Sequence, residues 1–389
     1  MKKRWIGIIL AVLLLTNGMT FYLAKRETVF GNDLSPQEAI KMQYLKTFIK
    51  KNYLRKVDEK KFYTGQLKGI VASLEDPYSE YYTKKEMQDL MDFTQASFYG
   101  VGMVLAPGDD DLITVVSAIK DSPADKAGIT TGDKIIKVNG KDYRGENLSQ
   151  AVEAMKGKED TKVDLQILKK DEGIKTLTLV RKKISLDTVI SQKLEGNLAY
   201  IGIQQFSDHT AEEFSNHVKK VVDENTKGLI LDLRGNPGGV MDGATEIADQ
   251  LLGKGLIVSA KDREGKIVDK VESDEKALDL PMVVLMNKGS ASASEILAGA
   301  LKDHKRATLV GDQSYGKGVI QIVKTFPGGD GIKLTVAEYF TPNGVSIDKK
   351  GIAPDVKVDL DPNAKGIGLN FYKEDKQLQK AVDLLKDKN

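Results

Sequence analysis

No cysteine occurs in the 389 residues, which excludes disulfides, thiolate metal sites and a cysteine nucleophile. Histidine is nearly as scarce. His209, His217 and His304 are the whole supply, and none stands in the spacing of a zinc-protease helix pair. His209 and His217 read as one solvated helix face. His304, after Asp303 in a polar stretch, is a poor start for a Ser-His-Asp triad. An excess of charge of either sign is also missing: 58 Lys and Arg against 56 Asp and Glu leave +2. No basic stripe is interleaved with aromatics, so a nucleic-acid surface is not expected, and no metal or cofactor is called for.

What is there begins with Lys2, Lys3 and Arg4, followed by an apolar run from Trp5 to Leu15 that continues to Ala24. As a helix it would span about 30 Å, enough to cross a bilayer. No A-x-A cleavage site precedes Lys25. Residues 1–26 are therefore expected to be an uncleaved single-pass anchor in a bacterial cell membrane, with the body outside the cytoplasm. Secretion after cleavage is the alternative. The chain beyond the anchor is mildly acidic.

Residues 33–96 read as a helical region. Ser35 and Glu38 spell a capping box, residues 36–55 are helical in pattern, and Leu67, Ile70, Val71 and Leu74 recur at helical spacing before the turn Asp76-Pro77-Tyr78-Ser79. Met87, Leu90, Met91 and Phe93 suggest one more helix. From 97 to 182 the texture changes to short β-type runs, at 102–105, 112–116, 134–138, 162–168 and 176–180. Between them lie Ser122-Pro123-Ala124-Asp125-Lys126-Ala127-Gly128-Ile129 and Gly132-Asp133 through Asn139-Gly140, a short helix, a tight turn, a strand and a hairpin turn.

That string resembles the PDZ domains of bacterial exported proteases. Such domains bind a C-terminal peptide as an added strand. The resemblance puts the carboxylate loop at Gly100-Val101-Gly102-Met103, whose N–H groups would hold a terminal carboxylate. Leu148, Ala151, Val152 and Met155 form a helical stripe. It serves either as core or, for Leu148 and Val152, as the pocket for the last side chain.

Residues 183–361 alternate between near-continuous apolar runs (198–203, 229–233, 282–286) and helical patterns (211–222, 244–252, 295–301), the mark of an α/β domain with buried strands. In the tail, 362–389, an amphipathic helix over 374–388 puts Leu378, Ala381, Val382 and Leu385 on one face, suited to the core or to a second subunit.

Three segments of the α/β domain carry chemistry. The first, 286–296, takes a strand through small residues into a helix. There Ser292 is either the cap of an S-x-x-E box with Glu295 or a nucleophile in the positive field of a helix N-terminus. The second, 311–318, spells G-x-x-x-x-G-K, but Gly318 stands where magnesium needs Ser or Thr, and a β-branched run follows instead of a helix. That weakens a phosphate loop and leaves Lys317 as a base, a role that requires desolvation to lower its pKa. Gln321 falls on the same strand face. The third, Asp232-Leu233-Arg234-Gly235-Asn236-Pro237-Gly238-Gly239, is either a glycine turn or an oxyanion hole.

Together with Asp76-Pro77-Tyr78-Ser79-Glu80-Tyr81 and the PDZ string, these segments resemble the carboxyl-terminal processing peptidases over nearly the whole chain after the anchor. The resemblance implies a mixed α/β, crotonase-like protease core interrupted by a PDZ domain, with N- and C-terminal helices. It implies a serine endopeptidase in which Ser292 is the nucleophile, Lys317 the base, Gln321 its partner, and Gly238 or Gly239 with Ala293 the backbone oxyanion donors. Substrates would be proteins with exposed apolar C-termini, whose tails reorient the PDZ domain and complete the site. Two other classes stay open: a PDZ adaptor with an inert protease-like core, and nucleotide hydrolysis. A homodimer through the terminal helices is a further expectation.

Overall fold

The computed structural model describes residues 35–169, 172–274, 276–361 and 364–386. The expected anchor lies outside them. Among the described residues no helix is long and apolar enough to cross a membrane.

The chain divides into two compact units at Leu74/Glu75. In the first, α1 (Pro36–Asn52) opens with the expected capping box. Glu38 N–H donates to Ser35 Oγ (3.3 Å) and Ser35 N–H to Glu38 Oε2 (2.7 Å). The helix stops three residues before the sequence pattern does, where the Asn52 side chain donates to the Phe48 carbonyl (2.8 Å) and competes with the backbone for it. A second helix, α2 (Glu59–Ala72), follows an Asp58 cap. α1 buries none of its side chains, Ile40, Tyr44, Leu45 and Phe48 included.

The second unit begins its PDZ part with strands Ser97–Gly100 and Lys182–Ser185, which pair antiparallel from Ser97↔Ser185 to Gly100↔Lys182. The entry and exit of the inserted domain are thus zipped together. Between them the antiparallel sheet runs in the order 103–107, 113–118, 134–138, 162–169 and 173–180. The first strand starts one residue later than the sequence suggests, because Gly102 at φ +78° cannot continue a ladder. α3 (Leu148–Met155) closes the core formed by Ile113, Val115, Ile135, Leu165 and Ile167.

The α/β core is a six-stranded sheet whose spatial order follows the chain: β1 (Val189–Leu194), β2 (Leu198–Ile203), β3 (Gly228–Asp232), β4 (Met282–Met286), β5 (Thr308–Gly311) and β6 (Val356–Lys357). β1 is antiparallel to β2, and the rest are parallel. Their unbroken apolar runs have a simple cause. Alternate residues face opposite sides, and both sides are covered. Ala199, Ile201, Leu229, Leu231, Val284 and Leu309 meet helices Thr210–Val221, Met241–Leu251 and α4 (Ala293–Asp303), while Leu198, Tyr200, Ile230, Val283 and Val310 meet α5 (Lys376–Lys386). The tail helix therefore packs on its own core through Leu378, Ala381, Val382 and Leu385. A second, antiparallel sheet joins strands 80–82, 331–340, 255–261 and 267–273, with 319–325 also paired to 331–340.

Candidate active site

Three loops leave the carboxyl ends of neighbouring parallel strands: 233–240 after β3, 287–292 after β4 and 312–318 after β5. They are stitched to one another. Ser290 Oγ donates to the Leu233 carbonyl (2.8 Å), Ala291 N–H and Ser294 Oγ donate to the Asn236 carbonyl (3.1 and 3.0 Å), and Tyr315 N–H donates to the Ser290 carbonyl (3.0 Å).

Ser292 sits at the junction of the second loop with α4, at φ 54° and ψ −114°. A non-glycine residue held there costs about 1–3 kcal/mol and persists only when its surroundings impose it. Here they do: its N–H donates to Glu295 Oε2 (2.8 Å) and its carbonyl accepts from Glu295 and Ile296 (2.8 and 3.0 Å). The carboxylate arm of the expected capping box is thus formed. The Ser292 hydroxyl stands beside Tyr339, whose phenol is pushed up to about 12 by burial against the lowering effect of that hydroxyl.

Lys317 is half-buried, with Nζ 4.9 Å from the centroid of the Tyr78 ring. Burial, and then the charge of Lys333, hold its amine below the ordinary lysine value, against the opposing pull of Asp76 and Glu295. That is the direction a lysine base requires. No hydrogen bond joins Lys317 Nζ to Ser292 Oγ. The Gln321 amide is engaged elsewhere, donating to the Val319 carbonyl (3.1 Å) and Thr335 Oγ1 (3.4 Å). The three side chains form no hydrogen-bonded relay in this conformation.

The glycine pair separates in role. Gly238 N–H donates to Asn236 Oδ1 (2.8 Å), whereas Gly239 N–H and Ala293 N–H have no intramolecular acceptor among the described residues. Both glycines are demanded by space. A Cβ on Gly238 would lie 2.8 Å from Ser292 Cβ, and one on Gly239 1.9 Å from the Phe206 carbonyl oxygen, at φ +98° and +141°. No side chain fits between Gly238 and Ser292.

In the phosphate-loop look-alike, β5 ends at Gly311, and the chain enters the strand Val319–Thr325 rather than a helix. No helix begins where the loop ends, as a phosphate loop requires. The histidines lie apart from Ser292: His217 Nδ1 contacts Ser191 Oγ (2.7 Å), His304 Nε2 the Leu256 carbonyl (2.7 Å), and His209 Nδ1 Ser207 Oγ (3.2 Å).

In the PDZ part no strand among the described residues pairs with the outer edge of strand 103–107, and α3 packs against that strand. The preceding loop is shaped by its carbonyls: Val101 O accepts from Ala124 (2.9 Å) and Gly102 O from Ile119 and Ser122 Oγ (3.0 and 3.1 Å). The α3 stripe divides. Ala151 and Met155 are buried in the core, Leu148 is half-buried against it, and Val152 is half-buried.

Sequence reasoning missed several residues. Glu295, read only as a cap, is fully buried and also accepts from Ser314 Oγ (2.5 Å), Gly316 N–H (2.7 Å) and Lys317 N–H (2.9 Å). A carboxylate inside an otherwise apolar helix was the available signal, since buried acids are rare unless paired or bonded. Tyr78 and Asp76, read as a turn and as part of the family resemblance but given no role at the site, lie beside Lys317. Arg234 runs behind the glycine loop and bridges Asp232 (Nη2–Oδ2 2.6 Å) and Asp375 (2.8 Å at both Nη1 and Nη2), all buried. No sequence signal ties Arg234 to a residue 141 positions away.

Residues 197–358 match the model of peptidase family S41, 114–169 a PDZ domain, and 22–86 the N-terminal domain of the activating protease CtpB. The chain is 38% identical over 363 residues to the carboxy-terminal processing protease CtpA of Bacillus subtilis, covering 92% of this chain and 78% of that one. It is 35% identical over 366 residues to a CtpA-like serine protease of Staphylococcus aureus, covering 92% and 73%. Among solved structures it resembles a photosystem II D1 C-terminal processing protease, at 29% identity and a TM-score of 0.50, over 84% of this chain and 89% of that one. With its mixed α/β core and inserted PDZ domain, the chain belongs to the carboxy-terminal processing proteases, serine-type peptidases of family S41.

Proposed function

We propose that the protein is an endopeptidase that captures exported proteins by their apolar C-termini and cleaves them by acyl transfer at Ser292. The observation that carries this reading is the backbone of Ser292. Ser292 is held at φ 54° against Gly238, where a Cβ would lie 2.8 Å from Ser292 Cβ, and the N–H groups of the adjoining Gly239 and Ala293 have no intramolecular acceptor among the described residues. A strained serine turn whose neighbouring backbone N–H groups are left unbonded suits acyl transfer.

In the proposed reaction, neutral Lys317 takes the Ser292 proton as Oγ attacks the scissile carbonyl, and the oxyanion forms against Gly239 and Ala293 N–H. Lys317 then protonates the leaving amine. Water, deprotonated in turn by Lys317, releases the acyl group from Ser292. Gln321 would orient the amine once its amide leaves Val319 and Thr335. The gap between Lys317 and Ser292 supports a latent arrangement, completed when a substrate tail adds to the edge of strand 103–107. There Val101, Gly102 and Met103 N–H would take the terminal carboxylate, with Leu148 and Val152 lining the pocket.

Tethering of residues 1–26 in the cell membrane is supported by the sequence, and a second copy is the proposed cover for the apolar side chains of α1. Sedimentation with and without Ile40→Glu and Phe48→Glu tests the latter. For the chemistry, a quenched-fluorescent peptide with an apolar C-terminus is the probe. Ser292→Ala and Lys317→Arg should both abolish its cleavage, since guanidinium cannot act as a base. Sustained turnover by either variant would refute the dyad.

A further inference from the structure

We infer that Glu295 is a positioning residue that holds nucleophile and base in one frame, by accepting the backbone N–H of Ser292 and of Lys317 on a single carboxylate oxygen. The inference rests on the Ser292–Lys317 reading above.

Both bonds end on Oε2, at 2.8 Å from Ser292 N and 2.9 Å from Lys317 N. The two backbone nitrogens therefore cannot separate by more than those two bonds laid end to end. The other oxygen, Oε1, takes Gly316 N–H (2.7 Å) and Ser314 Oγ (2.5 Å), so three of the four donors come from the base loop. A helix cap needs only the Ser292 contact. Glu295 is 0% exposed, and among the described residues no Lys, Arg or His side chain forms an ion pair with it. Four donors instead compensate the burial of its carboxylate. Ser314 extends the frame, since its Oγ also accepts from Ile352 N–H (2.6 Å). With both backbones clamped, passage from the latent to the active arrangement falls to the Lys317 side chain rather than to the loops. The carboxylate also opposes the lowering of the Lys317 pKa, so its removal has an electrostatic signature that loss of a helix cap lacks.

The test uses the whole chain, the same quenched-fluorescent peptide, and Glu295→Gln, in which an NH2 group faces N–H donors. Expected are a fall in kcat of about 100-fold, the cost of a small misplacement of reacting groups, and a KM within twofold of wild type. The acid limb of kcat/KM should also move to lower pH, because the charge that favours protonated Lys317 is gone. A kcat within threefold of wild type overturns the proposal. So does a fall in kcat with an unmoved acid limb, which assigns Glu295 to helix stability alone. Should Glu295→Gln fail to fold, Ser314→Ala decides: a several-fold loss of kcat at constant KM supports the frame, and an unchanged kcat overturns it. If wild type does not cleave, or Ser292→Ala does, the dyad reading fails instead, and the two failures are distinguishable.

Discussion

Lys317 Nζ lies 4.9 Å from the centre of the Tyr78 ring, which covers one side of the amine where Ser292 does not reach it. A ring face attracts a cation and also keeps water away from it. Burial is the largest cause of the depressed Lys317 pKa, so the ring, by excluding water, favours the neutral amine that the proposed base needs. Tyr78→Ala should let water in and raise that pKa, moving the acid limb of kcat/KM to higher pH. Tyr78→Phe keeps the ring and should leave the limb in place. Equal pH profiles for Tyr78→Ala and wild type would sink the argument.

Lys333 acts on the same amine from the neighbouring strand. Its positive charge disfavours a second one at Lys317 and is the next largest lowering influence after burial. In Lys333→Gln this repulsion is absent, Lys317 binds its proton more tightly, and the active fraction falls at a given pH. The acid limb should again move to higher pH, and added salt should reduce the difference between variant and wild type, as screening does for partly exposed charges. A limb that moves to lower pH would show that the charge assignment is wrong.

Gly239 and Gly235 belong to one loop, and their substitutions should differ. A Cβ on Gly239 meets the Phe206 carbonyl at 1.9 Å, whereas one on Gly235 meets nothing within 4 Å. Gly239→Ala must shift the loop off the Phe206 carbonyl and misdirect the proposed oxyanion donor. Loss of such a donor lowers kcat by about 10²–10³-fold. Gly235→Ala, at φ +71°, carries only left-handed backbone strain of about 1–2 kcal/mol, visible as a lower melting temperature with kcat near wild type. Comparable kcat values for the two variants would remove Gly239 from the oxyanion hole.

The core was legible because period and length are local properties. The runs 198–203, 229–233 and 282–286 read as strands buried on both faces, and the sheet covers both. Ser292, Lys317 and the glycine loop were legible as separate segments whose small residues and turns allow close approach. Their mutual arrangement was not. Whether Lys317 points at Ser292 or at Tyr78 depends on rotamers and on a turn more than two hundred residues away, which no spacing rule encodes. The same limit hid Glu295, whose cap motif is local while three of its four partners come from another loop.

Arg234 and Asp375 join the glycine loop to the start of the tail helix. Arg234 leaves the glycine loop two residues after Asp232 and reaches both oxygens of Asp375 at 2.8 Å. Asp375 in turn accepts from Leu378 N–H (3.0 Å) at the start of α5. Burial alone would raise the Asp375 carboxyl, but the guanidinium outweighs it and holds the group below the usual carboxylate range. The folded-state pKa is depressed, so the stabilisation is complete above the unfolded value of about 3.9 and is lost as pH falls through the folded one. Removing one member of a buried pair costs about 3–5 kcal/mol. Asp375→Asn should therefore unfold at a lower urea midpoint at pH 7, with the gap to wild type narrowing on acidification below about pH 4. Because Arg234 shares its backbone with the loop that carries Gly239, kcat should fall along with stability while KM holds. Equal midpoints at pH 7, or a gap indifferent to acid, would show that the pair does not anchor the tail.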